Sequence, residues 1–256
     1  MKIVLIGAGN LAGHLGPALK KNGHSIEMVY SRSKGSAKKL AANLKCAFTS
    51  KVTDLPTEAD LYLLALPDHV IPGFLKELSF IPACIAHTSG SVELSVFRTR
   101  FKNCGVFYPL QTFSKNRKVD FKNIPICLEA SNPKTLALLK KAAAISKNVV
   151  RMNSAKRKKV HLAAVIVNNF PNLLFSLADD LLKEEKLNLD LLRPLILETA
   201  LKVQNNPPFQ MQTGPARRGD AETLKSHRKL LSDNKTVKDI YNLLSKTIEN
   251  KYGPLL

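Results

Sequence analysis

The chain has 256 residues, of which 45% are hydrophobic and 23% charged, a composition typical of a globular protein and unlike that of a disordered or fibrous chain. Lysine and arginine outnumber aspartate and glutamate by 39 to 20, which gives a formal charge of +19. The basic residues are spread along the chain, whereas nucleic-acid binders concentrate them and often interleave aromatic side chains. We therefore expect no nucleic-acid partner.

The cysteines lie far apart and form no C-x-x-C pair, at Cys46, Cys84, Cys104 and Cys127. This distribution indicates neither a disulfide framework nor a zinc site, and no metal ion is expected. Dispersed cysteines in apolar runs are typical of reduced thiols in the cytoplasm, which is the expected location.

Two apolar segments resemble targeting or membrane sequences only superficially. Residues 3–6 are apolar, but the run is too short for a signal peptide. The stretch 162–178 is interrupted by Asn168, Asn169, Pro171 and Asn172, whereas a membrane span needs about 20 mostly apolar residues. We interpret this stretch as a buried helix and expect no membrane contact.

Short apolar runs alternate with amphipathic ones in the first half of the chain. The apolar runs predict strands at 3–7, 26–30, 61–66, 83–87, 105–108, 124–128 and 148–152, and the amphipathic ones predict helices near 10–21, 35–44 and 69–78. Near-continuous apolar strands separated by helices indicate a parallel sheet covered on both faces. The predicted fold class is α/β, with a doubly wound, mostly parallel Rossmann sheet followed by a smaller all-helical domain.

After residue 152 the spacing of apolar residues is helical throughout. Helices are predicted at 156–186, 190–205, 220–232 and 235–250. Ser154 is placed to cap the first of these, and Pro171, which lacks a backbone donor, is expected to kink it. The sequence thus predicts a Rossmann-like dinucleotide-binding domain at 1–153 and a helical domain at 154–256.

A glycine-rich turn joins the first predicted strand to the first predicted helix, with the G-x-G-x-x-A sequence Gly7-Ala8-Gly9-Asn10-Leu11-Ala12. In this pattern one glycine permits a tight turn, the next lets a diphosphate approach the backbone, and the alanine keeps helix and strand close. The helix N-terminus offers free N–H groups to phosphate. We assign dinucleotide binding to Gly7, Gly9, Asn10, Leu11 and Ala12; the alternative is a tight turn without a ligand. Residues 13–17 are expected to distort the helix.

The end of the second predicted strand distinguishes between cofactors. NAD binders usually place an acid there for the ribose 2′-hydroxyl, but this chain has Ser31, Arg32 and Ser33. An arginine flanked by hydroxyls can bind a 2′-phosphate, which a carboxylate would repel. These residues favour NADP(H) over NAD(H); the alternative is a solvated basic loop.

Ligands in such sheets bind beyond the carboxyl ends of the strands. Leu66 and Pro67 end one predicted strand, and Ser89 and Gly90 follow another, so these four are expected on the nicotinamide side. Ser89 and the 89–91 backbone are suited to stabilise developing negative charge. His69 and His87 are either proton carriers or loop histidines without a role. The turn 108–113 either lines the same edge or packs the domain junction.

The first helix of the second half carries His161, Asn168 and Asn169. The i to i+7 spacing places Asn168 within about 20° of His161 around the helix axis. Histidine suits acid/base chemistry near neutral pH, so His161 is the candidate acid/base and the asparagines candidate substrate ligands; a structural histidine is the alternative. Basic groups at Lys158, Lys159, Arg217 and Arg218 favour an anionic small-molecule substrate, although a solvated surface explains them equally well.

The motifs GAGNLAGHL, YSRS, LALPDHVI, HTSGS, YPLQTF, HLAAVIVNNF and TGPARRGD together resemble a bacterial family of NADP oxidoreductases, which pair a Rossmann-like domain with a helical domain of unknown function. More distantly, the chain is similar to ketopantoate reductase, pyrroline-5-carboxylate reductase and 6-phosphogluconate dehydrogenase. The resemblance implies NADP(H) as cofactor and dimerisation through the helical domain. It also implies roles for Gly7, Gly9 and Ala12 at the diphosphate and for Ser31 and Arg32 at the adenosine phosphate. Ser89 and Gly90 are then expected at the nicotinamide, and His161 and Asn169 belong to the helix motif of the family. Tyr108 stands where many relatives carry histidine.

The function expected from these observations is NADP(H)-dependent oxidoreduction of a small carbonyl, imine, hydroxy or amino compound. The cofactor supplies the hydride, and the protein supplies binding, orientation and electrostatics. The alternative is a non-enzymatic NADP(H)-binding module that regulates a partner protein. Substrate turnover distinguishes the two.

Overall fold

The structure is a computed structural model that describes residues 1–97 and 99–253. These residues form two compact units, 1–169 and 170 onward. All the strands of the described residues belong to the first unit, and the second unit is helical.

The strands are β1 (Lys2–Ile6), β2 (Ser25–Tyr30), β3 (Ala47–Thr49), β4 (Leu61–Leu64), β5 (Ile85–His87), β6 (Cys104–Pro109), β7 (Ile126–Ala130) and β8 (Val149–Arg151). The α-helices are α1 (Asn10–Lys21), α2 (Lys34–Leu44), α3 (Ile71–Glu77), α4 (Pro133–Ala143), α5 (Ser154–Ala164), α6 (Phe170–Glu184), α7 (Arg193–Asn205), α8 (Pro215–Arg218), α9 (Ala221–Leu230) and α10 (Lys235–Tyr252). A π-helical turn, Val165–Asn169, joins α5 to α6.

The eight strands form one sheet in the order β3-β2-β1-β4-β5-β6-β7-β8. Neighbouring strands are parallel except β6 and β7, which pair antiparallel from Gly105 opposite Ala130 to Pro109 opposite Ile126. The chain reverses direction across the sheet between β1 and β4. The predicted doubly wound, mostly parallel sheet is confirmed, and its crevice lies where β1 and β4 end.

The core lies on both faces of this sheet. Along β1, Ile3 and Leu5 belong to the cluster under α1, α2 and α4, whereas Val4 and Ile6 belong to the cluster under α3. All four are fully buried, because consecutive side chains of a strand point to opposite faces and helices cover both. This explains why the strand has an unbroken apolar sequence.

Two local expectations differ from the structure. Helix α1 is unbroken across residues 13–17, since Gly16 lies where a Cβ would be 2.8 Å from the Leu44 side chain, and close packing outweighs low helix propensity. Asn153, not Ser154, caps α5 by accepting from Lys156 N. The Ser154 hydroxyl instead donates to Glu129. The π-helical turn precedes Pro171 within the helical run Ser154–Glu184, and the kink expected at Pro171 stays a prediction.

The interpretation of 162–178 as a buried helix is wrong for the single chain. Leu162, Val167 and Phe170 are 60%, 73% and 54% exposed. The helical run Ser154–Glu184 is long and apolar enough to cross a membrane by length and composition alone, with a mean hydropathy of 1.4 in its most apolar window. Helices of this kind also occur in water-soluble proteins, where another surface covers them.

The predicted boundary at 153/154 coincides with the end of the sheet, since β8 ends at Arg151. The compact units divide sixteen residues later, at Asn169, because α5 and the π-helical turn belong with the sheet. The helix motif of His161, Asn168 and Asn169 is therefore part of the first unit. The functional division at 153/154 stays a prediction.

Candidate cofactor and substrate site

The turn after β1 is held between two neighbouring strands and requires glycine at its first position. Gly7 has a φ of +115°, and a Cβ built there would lie 2.2 Å from the carbonyl oxygen of Ala65. The Gly7 N–H donates to Tyr30 O over 2.7 Å. Only glycine accepts this conformation without strain, so Gly7 places the chain at the crevice between β1 and β4.

The N-terminus of α1 is open to a ligand. Gly9 is the N-cap and has no side chain to bond the first N–H groups, and a Cβ at Gly9 would meet nothing within 4 Å. Ala12 is fully buried against the strands, which keeps the helix close to the sheet. Uncapped N–H groups beside open space fit the diphosphate of a dinucleotide.

A cavity of about 420 Å³ lies beside this turn, and we call it the Arg32 cavity. Six residues predicted to bind the cofactor line it: Gly7, Gly9, Ser31, Arg32, Leu66 and Pro67. Ser33 is different, because its hydroxyl oxygen caps α2 by accepting from Ser36 N over 3.3 Å. The basic group suited to a 2′-phosphate therefore faces the same cavity as the glycine turn.

Glu77 also lines the Arg32 cavity, and no sequence pattern predicted it there. It is the last residue of α3, far from the end of β2 where an acid would be sought. Burial, and then the Glu77 carboxylate, raise the pKa of Tyr30, while Arg32 opposes them. The cavity thus holds one acid and one base close to the same tyrosine.

A second cavity, of about 820 Å³, begins at the next residues of the glycine turn, and we call it the His161 cavity. Asn10 and Leu11 line it from α1, and His161, Asn168 and Asn169 line it from α5 and the π-helical turn. The Asn10 side-chain amide donates to Phe113 O over 3.0 Å, which ties the loop after β6 to α1. The structure therefore brings the predicted phosphate helix and the predicted acid/base residues to one space.

Tyr108, the second-last residue of β6, is a further site residue to which the sequence assigned no role. Its hydroxyl lies 3.0 Å from Nδ1 of His161, and both residues line the His161 cavity. Burial, and to a smaller extent Cys127, raise the pKa of Tyr108 to about 12. The turn 108–113 thus lines the cavity, which is one of the two alternatives that the sequence left open for it.

The serine hydroxyls of the turn after β5 form hydrogen bonds within the protein. Ser89 is buried, and its oxygen accepts from Ser91 N over 3.1 Å and from Val92 N over 2.9 Å. The Ser91 hydroxyl donates to Asp68. Ser89 lines neither cavity, so its predicted role in stabilising negative charge stays a prediction without a contact behind it. Gly90 packs directly against His161 and Tyr108.

His69 and His87, the two other candidate proton carriers, differ in their exposure to solvent. His69 lines the Arg32 cavity and is exposed. His87 is fully buried, and burial, together with the charge of Arg157, lowers the pKa of His87 to about 4. An imidazole that stays neutral and shielded from solvent does not exchange protons with a substrate near neutral pH. His87 is therefore a structural residue.

Two of the four basic residues near the start of α5, Arg157 and Lys158, have partners within the protein. Arg157 is 1% exposed, pairs with Glu129 and donates to Val92 O. Lys158 pairs with Glu93 over 2.5 Å. In the helical unit, Arg217 donates to Gly253 O over 2.6 Å. Carboxylates and carbonyls of the chain thus account for these three cations.

The described residues hold no group of three or more histidine, cysteine, aspartate or glutamate side chains placed to bind a metal ion. All four cysteines carry free thiols. Burial raises the pKa of Cys84 to about 12, so this thiol is protonated and unreactive at neutral pH.

Comparison with known proteins agrees with this geometry. Residues 2–84 match the family model described as NADP oxidoreductase, coenzyme F420-dependent, and residues 124–248 match a domain of unknown function. A solved structure described as a putative NADP oxidoreductase from Bacteroides fragilis is 41% identical, with 98% of each chain covered and a TM-score of 0.91. This chain belongs to that NADP oxidoreductase family. No curated protein matches the sequence.

More distant structures share the fold of the NADP oxidoreductase family. A pyrroline-5-carboxylate reductase from Streptococcus pyogenes is 16% identical over 98% of each chain, with a TM-score of 0.61. A reductive aminase from Aspergillus terreus, solved with NADPH and ethyl-5-oxohexanoate, is 14% identical over 98% of this chain and 95% of that one, with a TM-score of 0.72. The predicted family, its NADP cofactor and the likeness to pyrroline-5-carboxylate reductase are confirmed.

Proposed function

We propose that this protein is an NADPH-dependent reductase of a small carbonyl or imine compound, and that the compound binds in the His161 cavity. One observation carries the proposal: Asn10 and Leu11 of the phosphate helix line the same cavity as His161, Asn168 and Asn169. A dinucleotide whose diphosphate lies over Gly9 has its adenosine end at the Arg32 cavity and its other end at the His161 cavity.

Different residues of the chain bind different parts of this cofactor. The N–H groups at the start of α1 bind the diphosphate, Arg32 and Ser31 bind the 2′-phosphate, and Leu66 and Pro67 pack beside them. When bound, the reduced nicotinamide supplies a hydride to the substrate carbon. His161 gives the accompanying proton to the substrate oxygen or nitrogen, and the amides of Asn168 and Asn169 orient that group.

The charge of the substrate is a separate question. Lys158, Lys159, Arg217 and Arg218 favour an anion on sequence grounds, and that preference stays a prediction. Lys158 and Arg217 already have protein partners. Among the residues that line the His161 cavity, the polar groups are amides, hydroxyls and the imidazole. These groups suit a carbonyl or imine, whatever charge the rest of the substrate carries.

Calorimetric titration of NADPH and NADH tests the cofactor assignment. Wild type should bind NADPH more tightly, because a charge-assisted hydrogen bond contributes about 1.5–3 kcal/mol. Arg32→Ala should weaken NADPH at least about 10-fold and leave NADH unchanged. Arg151→Ala, an exposed arginine of the same sheet that lines neither cavity, is the control. Equal affinities of wild type for both nucleotides would remove the assignment.

Turnover of carbonyl and imine compounds at saturating NADPH tests the reaction. His161→Ala should lower the rate of reduction about 10²–10⁴-fold, the contribution typical of a general acid, without changing NADPH affinity. His227→Ala is the matched control, since His227 also bonds a tyrosine hydroxyl but lines neither cavity. Full activity of His161→Ala would refute its role. Tight NADPH binding with no turnover of any compound would favour the regulatory module instead.

We also propose that the protein is a homodimer through its helical unit. Among the described residues of this unit, four side chains are buried: Ala216, Leu224, Leu231 and Ser245. Its exposed apolar side chains include Phe170, Leu173, Phe175, Leu191, Leu195, Leu197, Leu201, Phe209, Leu230 and Leu243. Monomers rarely expose contiguous apolar patches of more than a few hundred Å². A second copy of the same helices supplies a self-complementary apolar surface.

Light scattering during gel filtration tests the dimer. Wild type should elute at twice the chain mass of 28.2 kDa. Leu195→Asp, at a side chain 63% exposed, should give a monomer, whereas Ile81→Asp, at a side chain of the sheet unit 67% exposed, should remain dimeric. A monomeric wild type would refute the dimer. A protein that stays in the lipid fraction unless detergent is added would contradict both the dimer and the predicted cytoplasmic location.

A further inference from the structure

His161 does not stand alone in its cavity but forms a close pair with Tyr108. The tyrosine hydroxyl and Nδ1 of the imidazole are 3.0 Å apart. The rings meet edge to face, with centroids 5.8 Å apart and planes at 78°. Tyr108 is 9% exposed and lies within the buried strand β6, one residue before its end, so the hydroxyl is attached to a rigid element.

Gly90 packs against both rings of the His161–Tyr108 pair. A Cβ at Gly90 would lie 2.6 Å from Nδ1 of His161 and 2.9 Å from Cζ of Tyr108. Neither distance is compatible with a side chain, so glycine is what allows the backbone of the 89–91 turn to touch both rings. The Nδ1 edge of the imidazole is therefore enclosed by Tyr108 and Gly90. Among the described residues, Nε2 has no hydrogen-bond partner.

We propose that Tyr108 is a positioning residue, which fixes the imidazole of His161 so that Nε2, rather than Nδ1, exchanges the proton with the substrate. The proposal rests on the proposed reductase function. A hydroxyl both donates and accepts, so Tyr108 donates to Nδ1 when His161 is neutral with its proton on Nε2. It accepts from the Nδ1–H when the ring is cationic.

The proton balance agrees with this arrangement. Cationic His161 gives its Nε2 proton to the substrate oxygen or nitrogen as the substrate carbon gains a hydride, and the ring is left neutral with its proton on Nδ1, bonded to the Tyr108 oxygen. Solvent then returns a proton to Nε2. Because burial raises the pKa of Tyr108 to about 12, the phenol keeps its own proton throughout and does not replace His161 as the acid.

The chain offers a matched control for this pair. His227 and Tyr241 have the same geometry, with Nδ1 and the hydroxyl 2.9 Å apart, ring centroids 5.7 Å apart and planes at 76°. This second pair lines neither the Arg32 cavity nor the His161 cavity. Tyr241→Phe therefore removes an equivalent hydrogen bond away from the proposed reaction.

Nitrogen NMR of the histidine rings tests the pair without any substrate. Tyr108→Phe should shift the Nδ1 resonance of His161 and leave that of His227 in place, and Tyr241→Phe should do the reverse. An unchanged His161 resonance in folded Tyr108→Phe would overturn the proposal. This measurement is valid even if no reductase activity is found, so it separates failure of the pair from failure of the proposed function.

Kinetics then show whether Tyr108 acts through His161. Tyr108→Phe should lower kcat about 10-fold, as expected for one lost hydrogen bond, with no change in NADPH affinity. In the His161→Ala background the same substitution should have no further effect on residual turnover, because contacting residues that act together are not additive. A full 10-fold loss in that background would show an independent role and refute the proposal.

Discussion

His87 provides a stability prediction with a defined size. It ends β5, is fully buried, and stacks on Phe97 with ring centroids 5.6 Å apart. Its Nδ1 accepts from Ser89 N over 3.2 Å. Burial, and then the charge of Arg157, lower the pKa of His87 to about 4, although Asp68 opposes them. Between this value and the unfolded value near 6.5, the unfolded chain binds a proton that the folded chain does not.

The sign of the effect follows from this difference. Because the unfolded state binds more protons in that window, stability is fully present above about pH 6.5 and is lost as the pH falls toward 4. With a folded pKa of about 4, the contribution lost between pH 8 and pH 5 is about 2 kcal/mol. His87→Gln retains an acceptor for Ser89 N and has nothing to titrate, so it should lack this part of the pH dependence.

Urea unfolding at pH 8 and pH 5 measures the prediction. Other carboxylates and histidines also titrate, so the relevant quantity is the difference between wild type and His87→Gln. The variant should lose about 2 kcal/mol less than wild type on acidification. His69→Gln, at an exposed histidine of the same sheet edge, should follow wild type. If wild type and His87→Gln lost the same free energy, the buried neutral histidine would be refuted.

Two further predictions concern the glycine turn and the buried ion pair. Gly7→Ala should destabilise the protein by about 2–5 kcal/mol through its positive φ and the clash with Ala65, whereas Gly9→Ala, which meets only open space, should unfold like wild type in urea but lose NADPH affinity in calorimetry. Equal stability of both variants would contradict the assignment. Arg157→Met should lose about 3–5 kcal/mol, because it leaves Glu129 without its partner. Adding Glu129→Gln should recover much of that loss in the same urea assay, and no recovery would point to packing rather than charge.

The sheet was predictable because seven of its eight strands carry a signal of their own. The apolar run of β1 and the glycine turn after it are local patterns, and they located both the sheet and the phosphate helix. Strand β3 was missed because it has three residues, Ala47–Thr49, with one large apolar side chain. Helix α4 was not assigned, although Asn132 and Pro133 are typical of a helix start.

The candidate site was predictable only in part, because its contacts join distant parts of the chain. His161 and the two asparagines share a helix, so their spacing indicated a common side. Tyr108 and Gly90 lie 53 and 71 residues before His161, and nothing in the local sequence shows that they meet it. Likewise, Glu129 lies 28 residues before Arg157, and the local sequence does not show that the two side chains pair.

The two histidines beside the 88–90 turn show how the fold selects an acid. His87 and His161 carry the same imidazole, and the sequence offered both as proton carriers. His87 points into the core, where burial disfavours its charged form and no substrate reaches it. His161 lines a cavity of about 820 Å³, with one nitrogen bonded to Tyr108 and the other without a partner among the described residues. Access and hydrogen bonding, rather than residue type, therefore support the proposal that His161 transfers the proton.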